Sequence, residues 1–248
     1  FSGNSHAAGK YKPTDPAPGY WDAIIGSGRP IDTDKFFVVS SDTLVNLNVK
    51  DPNTVTTGPA SINPDTGKPY GMSFPIVTIR DFVNVQKALL DSLGIKKLRA
   101  VTGASMGAIQ SFEWAAAYPE MVERIIPVIG TAEADAFLVG WMNLWSAPIL
   151  LDPRWNRGDY YGKDEPNEGL ALALKIVTLH ARHPGWAGKT FGGKWAAGDK
   201  DPAKSWENKF AIEDTLDKVA AARAKISDAN SFLYLAKANQ LFMAGHKG

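Results

Sequence analysis

The amino-acid sequence predicts an α/β fold with a mostly parallel sheet, followed by a helical insertion. Apolar residues recur at helical spacing over residues 82–93, and short apolar segments at residues 98–102 and 125–130 lie on either side of a second helix-forming stretch. Helix, strand, helix and strand in this order are typical of a parallel sheet whose strands are joined by crossover helices.

Length and composition fit an ordinary globular protein. The chain has 248 residues, of which 44% are hydrophobic and 21% charged, and its formal net charge is +1. This balance gives no reason to expect binding to nucleic acid or to an anionic membrane. The chain has no cysteine, which excludes disulfides and thiolate metal sites. We expect no cofactor, no metal and a cytoplasmic location.

The first 75 residues contain one predicted strand between loops. Residues 1–20 are rich in Gly, Pro, Ser and Lys, which favours a loop. Residues 36–40 (FFVVS) are aromatic and β-branched, and this predicts a buried strand. Residues 51–75 are rich in Pro, Gly, Asn and Thr, and this predicts a long loop.

The next segments predict the helices and strands around the central turn. Gly94 is in the position of a helix C-cap after residues 82–93, and Pro119 ends a helix over residues 108–118. Residues 98–102 and 125–130 are predicted strands, with an irregularity at Pro127.

From Ala132 onward the sequence predicts helices only. Residues 219–242 favour two helices that meet near Asp228, and no segment after Gly130 has the pattern of a core strand. We therefore predict an α/β core over residues 1–131 and a helical lid over residues 132–248. The most apolar stretch, residues 137–151, is interrupted by polar residues and Pro148 and is too short to span a bilayer.

A candidate nucleophile lies in the segment Gly103-Ala104-Ser105-Met106-Gly107. A Gly-x-Ser-x-Gly segment between a strand and a helix is typical of a nucleophile elbow, in which glycines allow a tight, strained turn that exposes the serine hydroxyl. The helix that begins there presents amide groups to an oxyanion, and the amide of Met106 would be one donor. The alternative is a glycine-rich loop with an incidental serine.

A serine nucleophile needs a base, normally a histidine oriented by a carboxylate. The chain has four histidines, and none is a convincing base. His6 precedes the elbow, His180 and His183 lie within the helical region, and His246 follows a helix rather than a strand. The carboxylates of this region, such as Asp214, Asp217 and Asp228, are predicted to be solvated helix charges rather than members of a triad.

Seven segments, in order along the chain, resemble blocks of the homoserine O-acetyltransferase family. They are residues 1–6 (FSGNSH), 28–34 (GRPIDTD), 58–64 (GPASINP), 78–81 (TIRD), 103–106 (GASM), 113–115 (EWA) and 228–231 (DANS). Relatives of this family include deacetylcephalosporin C acetyltransferase and several carboxylesterases. The resemblance implies an α/β-hydrolase fold and an enzyme that forms an acyl-serine intermediate.

The resemblance also implies roles for individual residues. Ser105 is the expected nucleophile, and the backbone amides of Met106 and Phe1 are the expected oxyanion-hole donors. In the family, strands precede the position of Phe1, and further strands after the helical insertion carry the acid and the histidine. We therefore expect that this chain lacks the first and last strands. The catalytic Asp and His would then come from a C-terminal segment, either joined to this chain or present as a separate chain.

One departure from the family pattern concerns the substrate site. The resemblance implies an arginine after residues 169–173 (GLALA) that holds the substrate carboxylate, and a tyrosine seven residues later. Leu174 and Ala181 occupy these positions. The adjacent Lys175 would point about 100° away around the helix. An alignment shift in which Arg182 takes this role is the alternative.

Two functions follow from the resemblance. The first is a serine esterase acting on small acyl esters, with water resolving the acyl-enzyme. The alternative is an O-acetyltransferase that uses acetyl-CoA as co-substrate and an alcohol as acceptor, whether homoserine or another. A non-catalytic binding protein is disfavoured because the elbow is intact. The expected partners are a small acyl ester or alcohol and a second copy of the chain in a homodimer.

Overall fold

The computed structural model describes residue 1 and residues 3–246. Its central unit is a strand, a helix and a strand: β3 (Val101–Ala104), α2 (Met106–Ala117) and β4 (Ile125–Val128). The two strands are parallel, with Val101 opposite Ile125 and Ala104 opposite Val128. A shorter parallel pair, β1 (Ile25–Gly26) and β2 (Ile31–Asp32), lies in the N-terminal loops. The predicted α/β fold with parallel strands is confirmed.

The helix before the central unit agrees closely with its prediction. Helix α1 (Ile79–Ser92) packs on α2, and Gly94 has a φ of 72°, which suits the C-terminal position predicted for it. Its N-terminus is closed by reciprocal hydrogen bonds between Thr78 and Asp81. Between the two helices lies a small apolar cluster of Val83, Leu90, Trp114 and Met121.

The strand predicted at residues 36–40 is wrong. These residues have no regular secondary structure, and Phe37 is 81% exposed. A strand needs a hydrogen-bonded neighbour, and no strand in the described part of the chain pairs with this segment. The strand predicted at residues 98–102 begins later, at Val101, although Leu98 makes an isolated parallel bridge to Val122. Pro127 lies within β4, opposite Gly103.

Helices make up the predicted lid region. They are α3 (Ala136–Leu151), α4 (Asn167–His180), α5 (Pro184–Thr190), α6 (Ala211–Ala224) and α7 (Ala229–Gln240), with a 3-10 turn at Pro153–Gly158. Another 3-10 turn, Gly71–Ser73, precedes α1 in the core region. Helix α4 packs on α3 and α6, and α3 also packs on α7. The predicted pair of helices meeting near Asp228 is confirmed. Among the described helices, none combines the length and apolarity needed to cross a bilayer.

Candidate active site

Ser105 lies at the turn between β3 and α2 in a strained backbone conformation. Its φ and ψ are 55° and −117°, outside the regions that L-residues with a side chain favour. The turn is held because the Ser105 N–H donates to the Val128 carbonyl at 3.0 Å, and the Ser105 carbonyl accepts from the N–H groups of Ala108 and Ile109. The side chain is exposed.

Close backbone approaches explain the glycines around this turn. A Cβ on Gly103 would lie 2.5 Å from the carbonyl carbon of Gly107, so the strand and the first turn of α2 can meet only at a glycine. A Cβ on Gly130 would lie 2.4 Å from the Cβ of Ala108. By contrast, nothing lies within 4 Å of a Cβ on Gly107. Glycine is therefore required at positions 103 and 130 because a Cβ there would overlap neighbouring atoms.

The structure brings Ser105 and Phe1 to one cleft of about 350 Å³. Helix α3 contributes Leu138, Trp141 and Trp145 to its wall, and the polar lining residues are Thr131, Glu133, Asp135 and Asn239. The sequence did not predict this wall. The tryptophans are visible in the sequence, but which face of α3 they occupy depends on how α3 packs.

Aromatic contacts hold Phe1 in place. Its ring lies edge-on to Trp145 at 5.8 Å and to Phe232 at 5.0 Å between centroids. Farther along the loop, the Gly3 carbonyl accepts a hydrogen bond from Asn46 Nδ2, and Asp42 accepts from the Ser5 N–H at 2.7 Å. These two loop anchors come from about 40 residues away in sequence, and no local pattern indicated them.

The other predicted oxyanion-hole donor is the backbone amide of Met106, the first residue of α2. The first amides of a helix have no acceptor within the helix. The Met106 side chain is buried in the main core, which anchors the residue beside Ser105. A helix N-terminus directly after Ser105 provides the positive dipole end that the sequence predicted.

The imidazoles of His6, His180 and His183 have partners other than Ser105. His6 Nε2 lies 2.8 Å from the Gly9 carbonyl, and His183 Nδ1 accepts from the Gly185 N–H at the start of α5. His180 Nδ1 accepts from Trp145 Nε1 at 3.0 Å, and the surrounding indoles exclude water from the ring, which lowers the pKa of His180. His246 is exposed directly after a turn at residues 244–245, and its backbone N–H donates to the Met243 carbonyl.

The expectation that Asp228 is a solvated charge is wrong. Asp228 is buried and begins α7, where it accepts from the N–H and hydroxyl of Ser231 and from the hydroxyls of Tyr160 and Tyr161. Its carboxylate is tolerated there because several donors surround it. Asp214 and Asp217 do form partly exposed ion pairs, with Lys218 and with Lys175 and Lys209 respectively.

The residues at which the sequence departs from the family's substrate site do not line the cleft at Ser105. Leu174 is fully buried in the main core, and Ala181 is exposed at the end of α4. Lys175 points to α6, where it contacts Asp217 at 2.6 Å. Arg182 follows α4, and its guanidinium stacks on Trp186 at 4.6 Å from the ring centre.

Comparison of the sequence and structure with known proteins shows to which family the chain belongs. Residues 27–236 match the α/β hydrolase fold family. The crystal structure of esterase E22 is 54% identical, with a TM-score of 0.92, and the match covers 100% of this chain and 68% of that one. The structure of a homoserine O-acetyltransferase from Bacillus anthracis is 36% identical, with a TM-score of 0.89 and coverage of 98% and 65%.

A homoserine O-acetyltransferase from Methanosphaerula palustris is 42% identical over 243 residues. The alignment covers 98% of this chain but 48% of the relative, so the chain spans about half the length of that protein. The prediction that the chain belongs to a family of enzymes is thereby confirmed. The chain belongs to the α/β hydrolase fold family, as a homoserine O-acetyltransferase-like member with esterases among its structural neighbours.

Proposed function

We propose that the protein is a serine esterase that hydrolyses small acyl esters through an acyl-serine at Ser105. The observation that carries this proposal is the strained turn that exposes Ser105 in a cleft also lined by Phe1. Strain of this kind costs on the order of 1–3 kcal/mol and persists where the surrounding structure enforces it. Here the hydrogen bond to Val128 and the close contact of Gly103 with Gly107 enforce it.

The proposed reaction has two steps. The Ser105 hydroxyl loses its proton to a base and attacks the ester carbonyl carbon, while the amides of Met106 and Phe1 stabilise the oxyanion. The carbon–oxygen bond to the alcohol then breaks, and the alcohol leaves with the proton that the base returns. Water attacks the acyl-serine in the same manner, which releases the acid and restores Ser105.

We further propose that the base and its carboxylate partner come from residues outside these 248. Support comes from His180 and His183, whose imidazoles each use Nδ1 in a local contact. The greater length of the relatives is compatible with this source. The cytoplasmic location and the homodimer stay predictions.

The assignment of Ser105 is tested by covalent labelling. We expect a fluorophosphonate probe to modify the full-length protein at Ser105, and Ser105→Ala to abolish both labelling and ester hydrolysis. Ser92→Ala is the matched control, because Ser92 lies at the distant end of α1 and donates to the Leu89 carbonyl. Labelling that persists in Ser105→Ala would refute the assignment.

The second candidate is an O-acetyltransferase that uses acetyl-CoA, and the identity to homoserine O-acetyltransferases favours it. The two candidates share the acyl-serine and differ in whether water or an alcohol resolves it. The full-length protein is incubated with p-nitrophenyl acetate, and separately with acetyl-CoA and homoserine. A burst followed by steady hydrolysis supports the esterase, whereas efficient O-acetylhomoserine formation supports the transferase.

A further inference from the structure

The chain enters and leaves the helical region α3–α7 through a short antiparallel neck. Residues 132–134, which lead into α3, and residues 242–244, which follow α7, form this neck, and Glu133 makes an antiparallel bridge to Met243. Two backbone hydrogen bonds of 2.9 Å, one donated by each segment, join the two sides. The first and last residues of the helical region are therefore held together at one place.

The neck continues into the wall of the cleft at Ser105. Glu133 lines this cleft, and so do residues 129–131, which connect β4 to the neck. The Thr131 hydroxyl donates to the Glu133 carbonyl at 2.8 Å and accepts from the Glu133 N–H at 3.3 Å, so this part of the wall is tied to the neck. The position of the neck therefore sets how far the wall lies from Ser105.

A buried carboxylate of α2 holds the residue directly after the neck. The Gly245 N–H donates to Glu113 Oε2 at 2.9 Å, and the side chain of Glu113 is 1% exposed. The other carboxylate oxygen, Oε1, accepts from Nε of Arg80 at the start of α1. A buried carboxylate is tolerated when it is paired and hydrogen-bonded, and here one charged donor and one neutral donor meet this need.

Glu113 belongs to the helix that begins directly after Ser105. The two residues are about 12 Å apart along the helix axis, at a rise of about 1.5 Å per residue. Gly245 lies close to the same helix, because a Cβ added to it would lie 3.5 Å from the Cβ of Ala116. Residues on one helix keep a fixed separation more precisely than residues on loops. Helix α2 therefore connects the nucleophile to the neck as one rigid element.

We propose that Glu113 is a positioning residue for the reaction at Ser105. By binding Gly245 it fixes the neck to α2, and it thereby holds the wall at residues 129–131 and Glu133 at a set distance from the serine hydroxyl. A wall held in this way orients the ester for attack, and a misplacement of about 1 Å can slow a reaction roughly 100-fold. This inference rests on the proposed function for its kinetic test, whereas its structural test does not depend on turnover.

Variants of Glu113 and Arg80 separate the contact with the neck from the ion pair. In Glu113→Gln, the one remaining oxygen stays with the charged donor of Arg80, so the new amide N–H groups face the Gly245 N–H and the neck contact is lost. In Arg80→Gln, the carboxylate keeps Gly245 although the ion pair is lost. Both changes should lower stability because each breaks a buried ion pair, so Arg80→Gln is the matched control.

The double variant Arg80→Gln, Glu113→Gln is designed to restore the contact. The new amide at position 113 can donate to the amide oxygen at position 80 and accept from the Gly245 N–H at the same time. Its activity should therefore recover, although the ion pair is absent.

The kinetic test measures kcat and KM for p-nitrophenyl acetate on the full-length protein, at a temperature where urea denaturation shows every variant to be folded. We expect Glu113→Gln to lower kcat roughly tenfold with little change in KM, because orientation rather than binding is lost. Arg80→Gln and the double variant should stay within about twofold of the wild type. An unchanged kcat in Glu113→Gln, equal losses in the two single variants, or a double variant that does not recover would overturn the inference.

Hydrogen exchange of the neck separates failure of this inference from failure of the esterase. In the full-length protein, we expect Glu113→Gln to speed exchange of the Ala244 and Gly245 amides roughly tenfold, and Arg80→Gln to leave it unchanged. Unchanged exchange in Glu113→Gln would overturn the inference whatever the activity. If the wild type hydrolyses no ester, the esterase proposal fails instead, and the rate of fluorophosphonate labelling at Ser105 replaces kcat in the same comparison of variants.

Discussion

Ser105 and its glycine neighbours form a turn in which each residue type has a separate physical reason. The positive φ of Ser105 exposes its side chain, and Gly103 allows the backbone of α2 to approach the strand. Gly107 is sterically free, so its place in the motif does not come from crowding in this structure. The two glycines of one sequence motif should therefore respond differently to substitution.

We expect Gly103→Ala to lower the free energy of unfolding by about 1–3 kcal/mol, because its Cβ would overlap the Gly107 backbone. Gly107→Ala should be neutral or stabilise the protein by up to about 1 kcal/mol, because alanine is favoured over glycine within a helix. Urea denaturation of both variants measures the difference. Equal losses of stability in the two variants would contradict the steric account.

Helix α7 is positioned by a buried polar network at its N-terminus. Tyr160 donates its hydroxyl to Asp228 Oδ1 at 2.6 Å and accepts from the Asn230 N–H at 2.9 Å. Asn230 Oδ1 in turn accepts from Trp155. Burial and the nearby Asp228 carboxylate raise the pKa of Tyr160 well above its usual range, so the hydroxyl stays protonated and can donate. The helix then carries Phe232 to the ring of Phe1.

We expect Tyr160→Phe to lower the free energy of unfolding by about 1–3 kcal/mol, because a buried carboxylate and a buried N–H each lose a partner. Tyr118→Phe is the control, since its hydroxyl donates to Asn84 at an exposed site and its loss should cost under about 0.5 kcal/mol. Thermal unfolding of both variants tests this. A small effect at Tyr160 would mean that water or a neighbour replaces the lost hydroxyl.

These elements show where sequence reasoning succeeded. Local patterns predicted α1, α2 and the paired helices near Asp228, because helix caps and apolar spacing lie within a few residues of one another. The burial of Asp228 could not be predicted in this way, since Tyr160 and Tyr161 lie about 67 residues away. The same limit applies to the wall that α3 contributes to the cleft and to the loop anchors Asp42 and Asn46. The roles of Ser105, Met106 and Phe1 stay predictions from motif and resemblance.

At the scale of the whole molecule, apolar side chains of two segments are exposed to solvent. The set consists of Ile126 and Val128 on β4, Ile129 directly after β4, and residues 36–39. Ile129 is 80% exposed. Exposed apolar side chains in such number favour covering by another part of a protein. Among the described strands, none pairs with residues 36–40.

We therefore expect residues 36–40 and 125–129 to be covered in a full-length protein of the size of the relatives, and exposed when residues 1–248 are produced alone. Unpaired strands and apolar surface favour association between chains. Residues 1–248 alone should bind 8-anilinonaphthalene-1-sulfonate and associate as concentration rises, whereas the full-length protein should do neither.

Hydrogen exchange gives a second test. In the full-length protein, exchange of the backbone amides of residues 36–40 should be slow, because they would pair with a neighbouring strand. Residues 84–91 of α1 provide an internal reference, because their amides are hydrogen-bonded within the helix in either form. Rapid exchange at residues 36–40 in the full-length protein would show that this segment is a surface loop there too.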